Sequence, residues 1–157
     1  MRQDISRYTK KIFLIPPFYF FVCIFITIIL YFFDYKIKLF PTPFYIFTSI
    51  PIMCIGIYFI VASYFLFQKK DTTVLYNKST SVVADGLYKI SRNPMYLGFL
   101  LVLIGFSLLS ENLISFISPI LFFLVIHWMF IPYEEEKMEE EMGEVYLEYK
   151  KKVRPWL

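Results

Sequence analysis

Long apolar segments alternate with short polar ones along this chain. The apolar segments cover residues 12–33, 39–67, 95–110 and 112–133. As a helix, the first would extend roughly 33 Å, enough to cross the hydrocarbon core of a bilayer, which is about 30 Å thick. Glu111 and Asn112 mark the boundary between the last two segments, which should therefore form a tight helical hairpin. The pattern predicts an all-α integral membrane protein with four transmembrane helices.

Lysine and arginine residues are distributed unevenly among the polar segments. The N-terminal arm, the loop over residues 68–94 and the tail after Tyr133 contain fourteen of them, whereas the segment between the first two spans contains only Lys36 and Lys38. With four spans, the N-terminal arm, the 68–94 loop and the tail lie on the same face of the membrane. Loops rich in Lys and Arg face the cytoplasm. The chain is therefore predicted to be multi-pass, with both termini cytoplasmic.

The tail after the last apolar segment has a helical pattern of its own. Three glutamates, at 134–136, come first, and three lysines, at 150–152, come near the end. This order matches the helix dipole, whose N-terminus favours negative charge and whose C-terminus favours positive charge. Between and beyond them, apolar and aromatic residues recur at helical spacing: Met138, Met142, Tyr146, Tyr149 and Val153. The tail is predicted to be one amphipathic helix on the cytoplasmic face.

The composition excludes several classes of protein. With 157 residues, 58% of them hydrophobic, the chain should form one domain whose partner is the bilayer and not a nucleic acid. Cys23 and Cys54 lie apart in apolar segments and the chain has one histidine, so no metal site of the usual zinc type is predicted. No GxGxxG, GxxxxGK[ST] or GxSxG pattern occurs, which argues against a Rossmann site, a P-loop and a serine hydrolase.

Two polar clusters should lie at the same membrane face. Arg92, Asn93 and Tyr96 are near the start of the third span, and Glu134 and Glu135 follow the fourth, so the predicted hairpin brings the clusters together. Each cluster has an ordinary explanation, because Arg and Tyr anchor helices at the interface and glutamates favour a helix N-terminus. The alternative is a pocket that combines a cation, an amide, aromatic rings and carboxylates and opens to the cytosol.

The sequence around these clusters has a recognisable motif. The stretches DGLYKISRNPMYLG (85–98) and EEEKMEEEMGEVYLEYKKKVRPWL (134–157) resemble the membrane-embedded isoprenylcysteine carboxyl methyltransferase and phospholipid methyltransferase superfamily. The pattern of that superfamily is G-x-Y, then R-[HN]-P-x-Y-x-G, then E-E-x-x-L-x-x-x-F-G-x-x-Y-x-x-Y. The positions that fit it are Gly86, Tyr88, Arg92, Asn93, Pro94, Tyr96, Gly98, Glu134, Glu135, Gly143, Tyr146 and Tyr149, with Met138 and Met142 in place of Leu and Phe.

The resemblance implies an S-adenosylmethionine-dependent methyltransferase that acts on a lipophilic acceptor and binds its cofactor on the cytoplasmic side. It makes residues 68–157 the cofactor-binding core of a single domain, and residues 1–67 two N-terminal spans. Carboxylates suit ribose hydroxyls and amino groups, Arg and Asn suit a carboxylate, and tyrosine rings suit a sulfonium cation. The cofactor-binding residues implied in this way are Val82, Val83, Tyr88, Arg92, Asn93, Pro94, Met95, Tyr96, Glu134 and Glu135.

Two departures from the superfamily pattern affect the predicted acceptor. Asn93 stands where the eukaryotic prenylcysteine enzymes have His, and Phe130 stands where they have a substrate-binding Arg one turn before the acidic pair. A free carboxylate taken out of water without a cation is costly. The departures therefore favour a lipid-like or small hydrophobic acceptor over a prenylcysteine carboxylate, and they leave the cofactor site intact.

His127, the one histidine, is the candidate catalytic residue. In a continuous α-helix it would share a face with Glu134, seven residues later and about 10 Å away, and could act there as a base. Two alternatives remain open: Pro132 could break this register, and a histidine at the membrane boundary can be a simple interfacial residue. Methyl transfer itself demands in-line placement of the acceptor more than it demands a base.

Two other functions fit the same features. A membrane reductase of the sterol-reductase type uses a similar C-terminal pocket for NADPH, although such enzymes usually have more spans. A non-enzymatic membrane protein could use the basic arm and tail to contact anionic lipids.

Overall fold

The computed structural model describes residues 16–32, 41–74 and 86–157, and within these ranges all regular structure is helical. Helix α1 covers Pro16–Phe32, α2 Thr42–Val74 and α3 Pro94–Leu109. A 3₁₀ turn at Gly86–Lys89 precedes α3, and another, at Leu113–Phe116, begins a continuous rod. That rod continues through α4 (Ile117–Val125), a π-helical turn (Ile126–Phe130) and α5 (Ile131–Met142); α6 covers Glu144–Lys152. The all-helical prediction is confirmed for the described residues.

Among the described residues, two helices are long and apolar enough to cross a membrane. They are Thr42–Leu66, with 25 residues, and the rod Leu113–Met142, with 30 residues. Helix α1 has 17 described residues and α3 has 16, which is short of the roughly 20 that a perpendicular crossing needs. The start of the first predicted span, at residues 12–15, lies outside the described residues. The presence of long apolar helices is confirmed, and the number of crossings stays a prediction.

Helices α2 and α3 pack together through small residues spaced seven apart. Ser49, Gly56 and Ser63 follow one stripe of α2, and Gly98 and Gly105 follow the facing stripe of α3. A Cβ added at Gly56 would lie 2.8 Å from the carbonyl oxygen of Gly98. Small residues at such an interface let two backbones approach closely, which is how helices pack in a lipid environment.

Aromatic and aliphatic side chains fill the space between α1, α3 and α4. Phe20 of α1 packs against Phe99 of α3 and Phe122 of α4, with ring centroids 4.7 Å and 6.3 Å apart. Phe122 and the neighbouring Leu103 are fully buried. Large apolar side chains on the outer faces remain exposed: Phe21, Phe25, Phe32, Phe47, Tyr58 and Phe65 among them. An apolar outer surface of this extent indicates association with a membrane.

The turn of the predicted hairpin is held by buried polar side chains. Asn112 accepts a hydrogen bond from the N–H of Ile114 and donates one to the carbonyl oxygen of Leu30, in the last turn of α1. Ser110 donates to the hydroxyl of Ser115 at 2.8 Å. Buried polar groups of this kind need partners, and these bonds fix α1 to the α3–α4 hairpin.

The tail consists of two helices and not the single amphipathic helix that the sequence predicts. Its acidic half continues the rod to Met142, and the chain then changes direction at Gly143, where φ is 55° and ψ is −131°. L-residues rarely adopt a positive φ, whereas glycine does so without steric cost. Gly143 therefore ends one helix and lets α6 fold back, so that Tyr146 and Tyr149 become buried.

Candidate functional site

Arg92 lies at the centre of the contact between the start of α3 and the tail. Its Nη2 donates to Oε1 of Glu135 at 2.5 Å, and its Nη1 donates to the carbonyl oxygens of Lys150 and Val153, both at 2.9 Å. The side chains of Arg92 and Glu135 are 8% and 11% exposed. The fork of the guanidinium suits such a double role, in which one nitrogen satisfies a carboxylate and the other the free carbonyls of a helix end.

The same carboxylate belongs to a balanced network of four charges. Lys150 binds the second oxygen of Glu135 at 2.8 Å and an oxygen of Glu139 at 2.7 Å. The hydrogen bond to Glu135, followed by that to Glu139, raises the pKa of Lys150 above its ordinary value. Arg92 and Glu135 were both predicted to contact the cofactor, but their charges are already compensated by protein groups. Their role in cofactor binding stays a prediction.

The residues on either side of Arg92 also bind the C-terminal segment. The hydroxyl of Ser91 and Nδ2 of Asn93 each donate to the carbonyl oxygen of Pro155 at 3.1 Å, and the N–H of Arg92 donates to that of Arg154 at 2.9 Å. Residues 91–93 therefore hold the last residues of the described chain in place. Their sequence had suggested either cofactor binding or anchoring in lipid.

Glu134 faces two tyrosines on the other side of this contact. Its Oε1 accepts a hydrogen bond from the hydroxyl of Tyr96 at 2.5 Å. Glu134 follows Tyr133, where the apolar segment 112–133 ends, and burial, the largest influence, raises the pKa of its carboxyl above the ordinary value. After burial, the charge of Glu134 is the next cause that raises the pKa of Tyr88.

Within the described part of the chain, no cation forms an ion pair with Glu134. Lys137 exerts a weak electrostatic influence on it, but the ammonium of Lys137 is exposed and lies 3.7 Å from Glu141. A partly buried carboxylate with a single tyrosine hydroxyl as its partner has free acceptor capacity. It can accept hydrogen bonds from a cationic or hydroxyl-bearing ligand.

Helix α6 fixes the position of Tyr88. The hydroxyl of Tyr149 donates to the carbonyl oxygen of Tyr88 at 2.7 Å, and the ring of Tyr149 lies 6.0 Å from that of Tyr146. Burial is the main cause that raises the pKa of both Tyr146 and Tyr149 to about 12, so both are neutral donors at physiological pH. The two motif tyrosines of the tail thus support the turn that bears Tyr88.

The remaining predicted cofactor residues lie at different places. Pro94 is buried at the first position of α3, where its missing N–H costs nothing, and Met95 follows it with its side chain partly buried. Val82 and Val83 lie outside the described residues. The structure brings together Tyr88, Tyr96 and Glu134 as one group and Arg92, Asn93 and Glu135 as another.

His127 belongs to the π-helical turn and not to a continuous α-helix, so the condition under which it would share a face with Glu134 is not met. The extra residue of a π turn rotates the rest of the rod by about 100°, the angle that one residue spans in a helix. The turn lies directly before Pro132, which has no N–H for the usual bond. His127 contacts Trp156, whose Nε1 donates to its Nδ1 at 3.2 Å, and stacks on Phe123. Its catalytic role stays a prediction.

Sequence reasoning missed the part played by the C-terminal segment. Val153, Pro155 and Trp156 all contact the start of α3 or the π turn, although the superfamily pattern ends at Tyr149. The signal in the sequence was Trp156, which follows Pro155 in an otherwise charged segment. A large aromatic side chain there indicates that the segment packs against the protein, because such side chains are seldom fully exposed.

The phospholipid methyltransferase family matches residues 44–145, which include α2, α3, the rod and the first residues of α6. No solved structure matches.

Among curated proteins, the chain is similar to protein-S-isoprenylcysteine O-methyltransferase B of Arabidopsis thaliana. The two are 38% identical over 76 residues, which cover 46% of this chain and 36% of the relative. The protein-S-isoprenylcysteine O-methyltransferase of Schizosaccharomyces pombe is 38% identical over 81 residues, covering 49% and 33%. An uncharacterized protein of Haemophilus influenzae is 41% identical over 63 residues, which cover 40% of this chain and 100% of that protein. The match thus spans about a third of each of the two named methyltransferases.

Proposed function

We propose that this chain, which belongs to the phospholipid methyltransferase family, transfers a methyl group from S-adenosylmethionine to a lipophilic acceptor at a membrane surface. The similarity to two proteins named as isoprenylcysteine O-methyltransferases supports the reaction class. Because the match spans about a third of those proteins, the activity and the acceptor are proposals for this chain.

The observation that carries the proposal is the environment of Glu134. Its carboxylate is partly buried and accepts one hydrogen bond from Tyr96, and its charge raises the pKa of Tyr88. S-Adenosylmethionine has a sulfonium cation, an ammonium group and two ribose hydroxyls, and each of these suits a carboxylate or the face of a tyrosine ring. The donors and acceptors present therefore fit this cofactor.

The predicted cofactor residues divide into two roles in this proposal. Glu134, Tyr88 and Tyr96 would contact the cofactor, with Val82, Val83 and Met95 as further lining residues. Arg92, Asn93, Pro94 and Glu135 would support them, because their polar atoms fasten the tail or begin α3. The bound cofactor supplies an electrophilic methyl group, and the protein places the acceptor in line with it and excludes water.

We place this site at the cytoplasmic face of four membrane-spanning segments, with both termini cytoplasmic. Helices α1 and α3 would be the two shorter crossings, and the acidic run after Tyr133 would leave the membrane. The cofactor would enter from the cytosol and the lipophilic acceptor from the bilayer, so that the two meet at the start of α3.

The NADPH-dependent alternative is supported less well. A binding site for the 2′-phosphate of NADPH needs a free cation, and the two cations within this charge network, Arg92 and Lys150, already bind carboxylates of the protein. The non-enzymatic alternative does not explain why Glu134, which has no ion-pair partner among the described residues, is partly buried and hydrogen-bonded to Tyr96.

Calorimetry on the detergent-solubilised full chain tests the proposal. S-Adenosylhomocysteine should bind and NADPH should not, and Glu134→Gln should weaken S-adenosylhomocysteine binding by about 1.5–3 kcal/mol, the usual scale for hydrogen bonds to a charged group. The matched control is Glu140→Gln, an exposed glutamate of the same acidic run, which should bind normally. Binding of NADPH alone, or equal losses in the two variants, would refute the cofactor assignment.

A further inference from the structure

His127 contacts two aromatic residues, one a single helical turn earlier on the same rod and one from the C-terminal segment. Its ring stacks on Phe123, with the centroids 5.4 Å apart and the planes 11° apart. The ring of Trp156 lies 5.0 Å from that of Phe123 and donates its Nε1–H to Nδ1 of His127 at 3.2 Å. All three side chains are partly buried.

The direction of this hydrogen bond determines the protonation pattern of the imidazole. The indole N–H of tryptophan is a donor only, so Nδ1 of His127 must present its lone pair. In a neutral imidazole the proton is then on Nε2. Within the described part of the chain, His127 makes no other hydrogen bond, so its Nε2–H remains available to a ligand.

We propose that Trp156 is a positioning residue, which fixes His127 as the Nε2–H tautomer and makes it a hydrogen-bond donor to an oxygen of a bound molecule instead of a general base. Nε2 already bears a proton, so it cannot accept another. Nδ1 can accept one only if the hydrogen bond from Trp156 is broken.

The motif at the start of α3 fixes the segment that bears Trp156. Ser91 and Asn93 both bind the carbonyl oxygen of Pro155, the residue directly before Trp156, and the N–H of Arg92 binds that of Arg154. Two successive carbonyl groups are thus fixed by three donors, which restricts the backbone just before the indole. Through these bonds the motif would control the chemistry of a histidine that it does not touch.

For the reaction, and resting on the proposed function, this assignment restricts the acceptor. The acceptor atom would have to be nucleophilic without transfer of a proton to His127, as a carboxylate or a neutral amine is. The proton on Nε2 would instead orient an oxygen atom, which either the acceptor or the carboxylate of the cofactor could provide.

Nitrogen NMR of the full chain labelled with ¹⁵N-histidine tests the tautomer directly. The chain has one histidine, so its two ring nitrogens give two unambiguous signals in micelles at a pH where the imidazole is neutral. We expect the shift of a protonated nitrogen at Nε2 and of an unprotonated one at Nδ1. Trp156→Phe keeps the ring but removes the N–H, and it should give averaged shifts from both tautomers.

The chain offers a matched control in its other tryptophan. The ring of Trp128 lies 6.1 Å from that of His127 and does not hydrogen-bond to it, so Trp128→Phe should retain the wild-type shifts. Arg92→Lys, which keeps the charge and loses the fork, should shift the signals towards those of Trp156→Phe. A wild-type proton on Nδ1, or unchanged shifts in Trp156→Phe, would overturn the proposal. Because neither cofactor nor acceptor is present, this result is independent of whether methyl transfer occurs.

A methyl-transfer assay on total membrane lipids and proteins then shows whether His127 acts as a hydrogen-bond donor or as a general base. His127→Gln retains an N–H donor and should keep several-fold more activity than His127→Ala. Equal activity of the two variants would contradict the donor role, even where the tautomer is as expected.

Discussion

Gly56 and Gly98 face each other across the α2–α3 interface so closely that a Cβ on either one would lie under 3 Å from the other's carbonyl oxygen. The two distances are 2.8 Å and 2.7 Å. Both obstructing atoms belong to backbone and cannot rotate away. The separation of the two helices is therefore set by the absence of side chains at these positions.

Gly98→Ala should destabilise the protein by about 1–3 kcal/mol, the usual cost of forcing an extra group into a packed interface. In an exposed helix the same change would stabilise the protein, so the sign of the change in unfolding free energy shows whether the two helices are in contact at this position. Gly105→Ala should cost less, because the nearest obstruction there is the flexible Met53 side chain and the nearest backbone atom, the carbonyl oxygen of Ser49, is 3.0 Å away. Denaturant unfolding in a fixed mixed micelle measures both. A neutral Gly98→Ala would show that the helices are not in contact at this position.

The pair Arg92–Glu135 should be important for stability. Removing one partner of a nearly buried ion pair costs about 3–5 kcal/mol, because the other charge stays behind. We expect such a loss for Arg92→Ala. Glu139→Gln removes an ion pair whose Lys150 side chain is 38% exposed, and solvent screening should limit its effect to about 1 kcal/mol or less. A double-mutant cycle of Arg92 and Glu135 separates their interaction from the bonds of Arg92 to the tail carbonyls.

Cofactor binding should depend on pH through Glu134. Burial raises the pKa of this carboxyl, so the anionic form is disfavoured until a cation approaches. Binding of S-adenosylmethionine should therefore strengthen as pH rises through that raised pKa, and below it should weaken by up to about tenfold per pH unit. Calorimetry across the acid range measures the slope. Glu134→Gln has no proton to lose there and should show a flat profile; a wild-type profile that is equally flat would exclude Glu134 from the site.

How far the sequence predicts this molecule depends on the range of the interactions. The spacing and length of the apolar segments predicted the helical class. The short boundary between the last two segments predicted a hairpin, and that hairpin brought the cluster with Tyr96 to the cluster with Glu134. Both predictions use only residues that are close together in the sequence. Two features were not accessible in the same way. Whether Gly143 would interrupt the tail depends on a positive φ that glycine permits but does not require. The pairing of Trp156 with His127 depends on contacts between residues 29 positions apart.

The topology can be tested with single cysteines. In a chain with Cys23 and Cys54 replaced by Ala, cysteines at Lys78 and Leu157 should be labelled by an impermeant thiol reagent from the cytoplasmic side only. A cysteine at Lys36 should be labelled from the opposite side, because the Lys/Arg asymmetry of fourteen to two predicts it. Labelling of Lys78 and Leu157 from different sides would exclude four crossings.

Phe130 bears on the identity of the acceptor, because it stands at the position that the resemblance assigns to a substrate-binding Arg. Its side chain is 4% exposed, and its ring lies 5.3 Å from that of Tyr19 on α1, so this position belongs to the core between helices. A substrate-binding cation is absent there, and Phe130→Arg would bury a charge instead of creating a substrate site. Within the described part of the chain, Arg92 is committed to Glu135 and the tail. Neither residue 130 nor Arg92 therefore offers a free cation to a prenylcysteine carboxylate.

We expect the unmodified protein to methylate membrane lipid extracts at least about tenfold faster than farnesyl-cysteine, the ratio that one missing charged hydrogen bond of about 1.5 kcal/mol would produce. Transfer of a labelled methyl group from S-adenosylmethionine to each acceptor, in matched micelles, measures this ratio. Phe130→Leu keeps the site apolar and should not alter the preference between acceptors. Faster methylation of farnesyl-cysteine than of lipid extracts would show that this chain binds the carboxylate without a side-chain cation at residue 130.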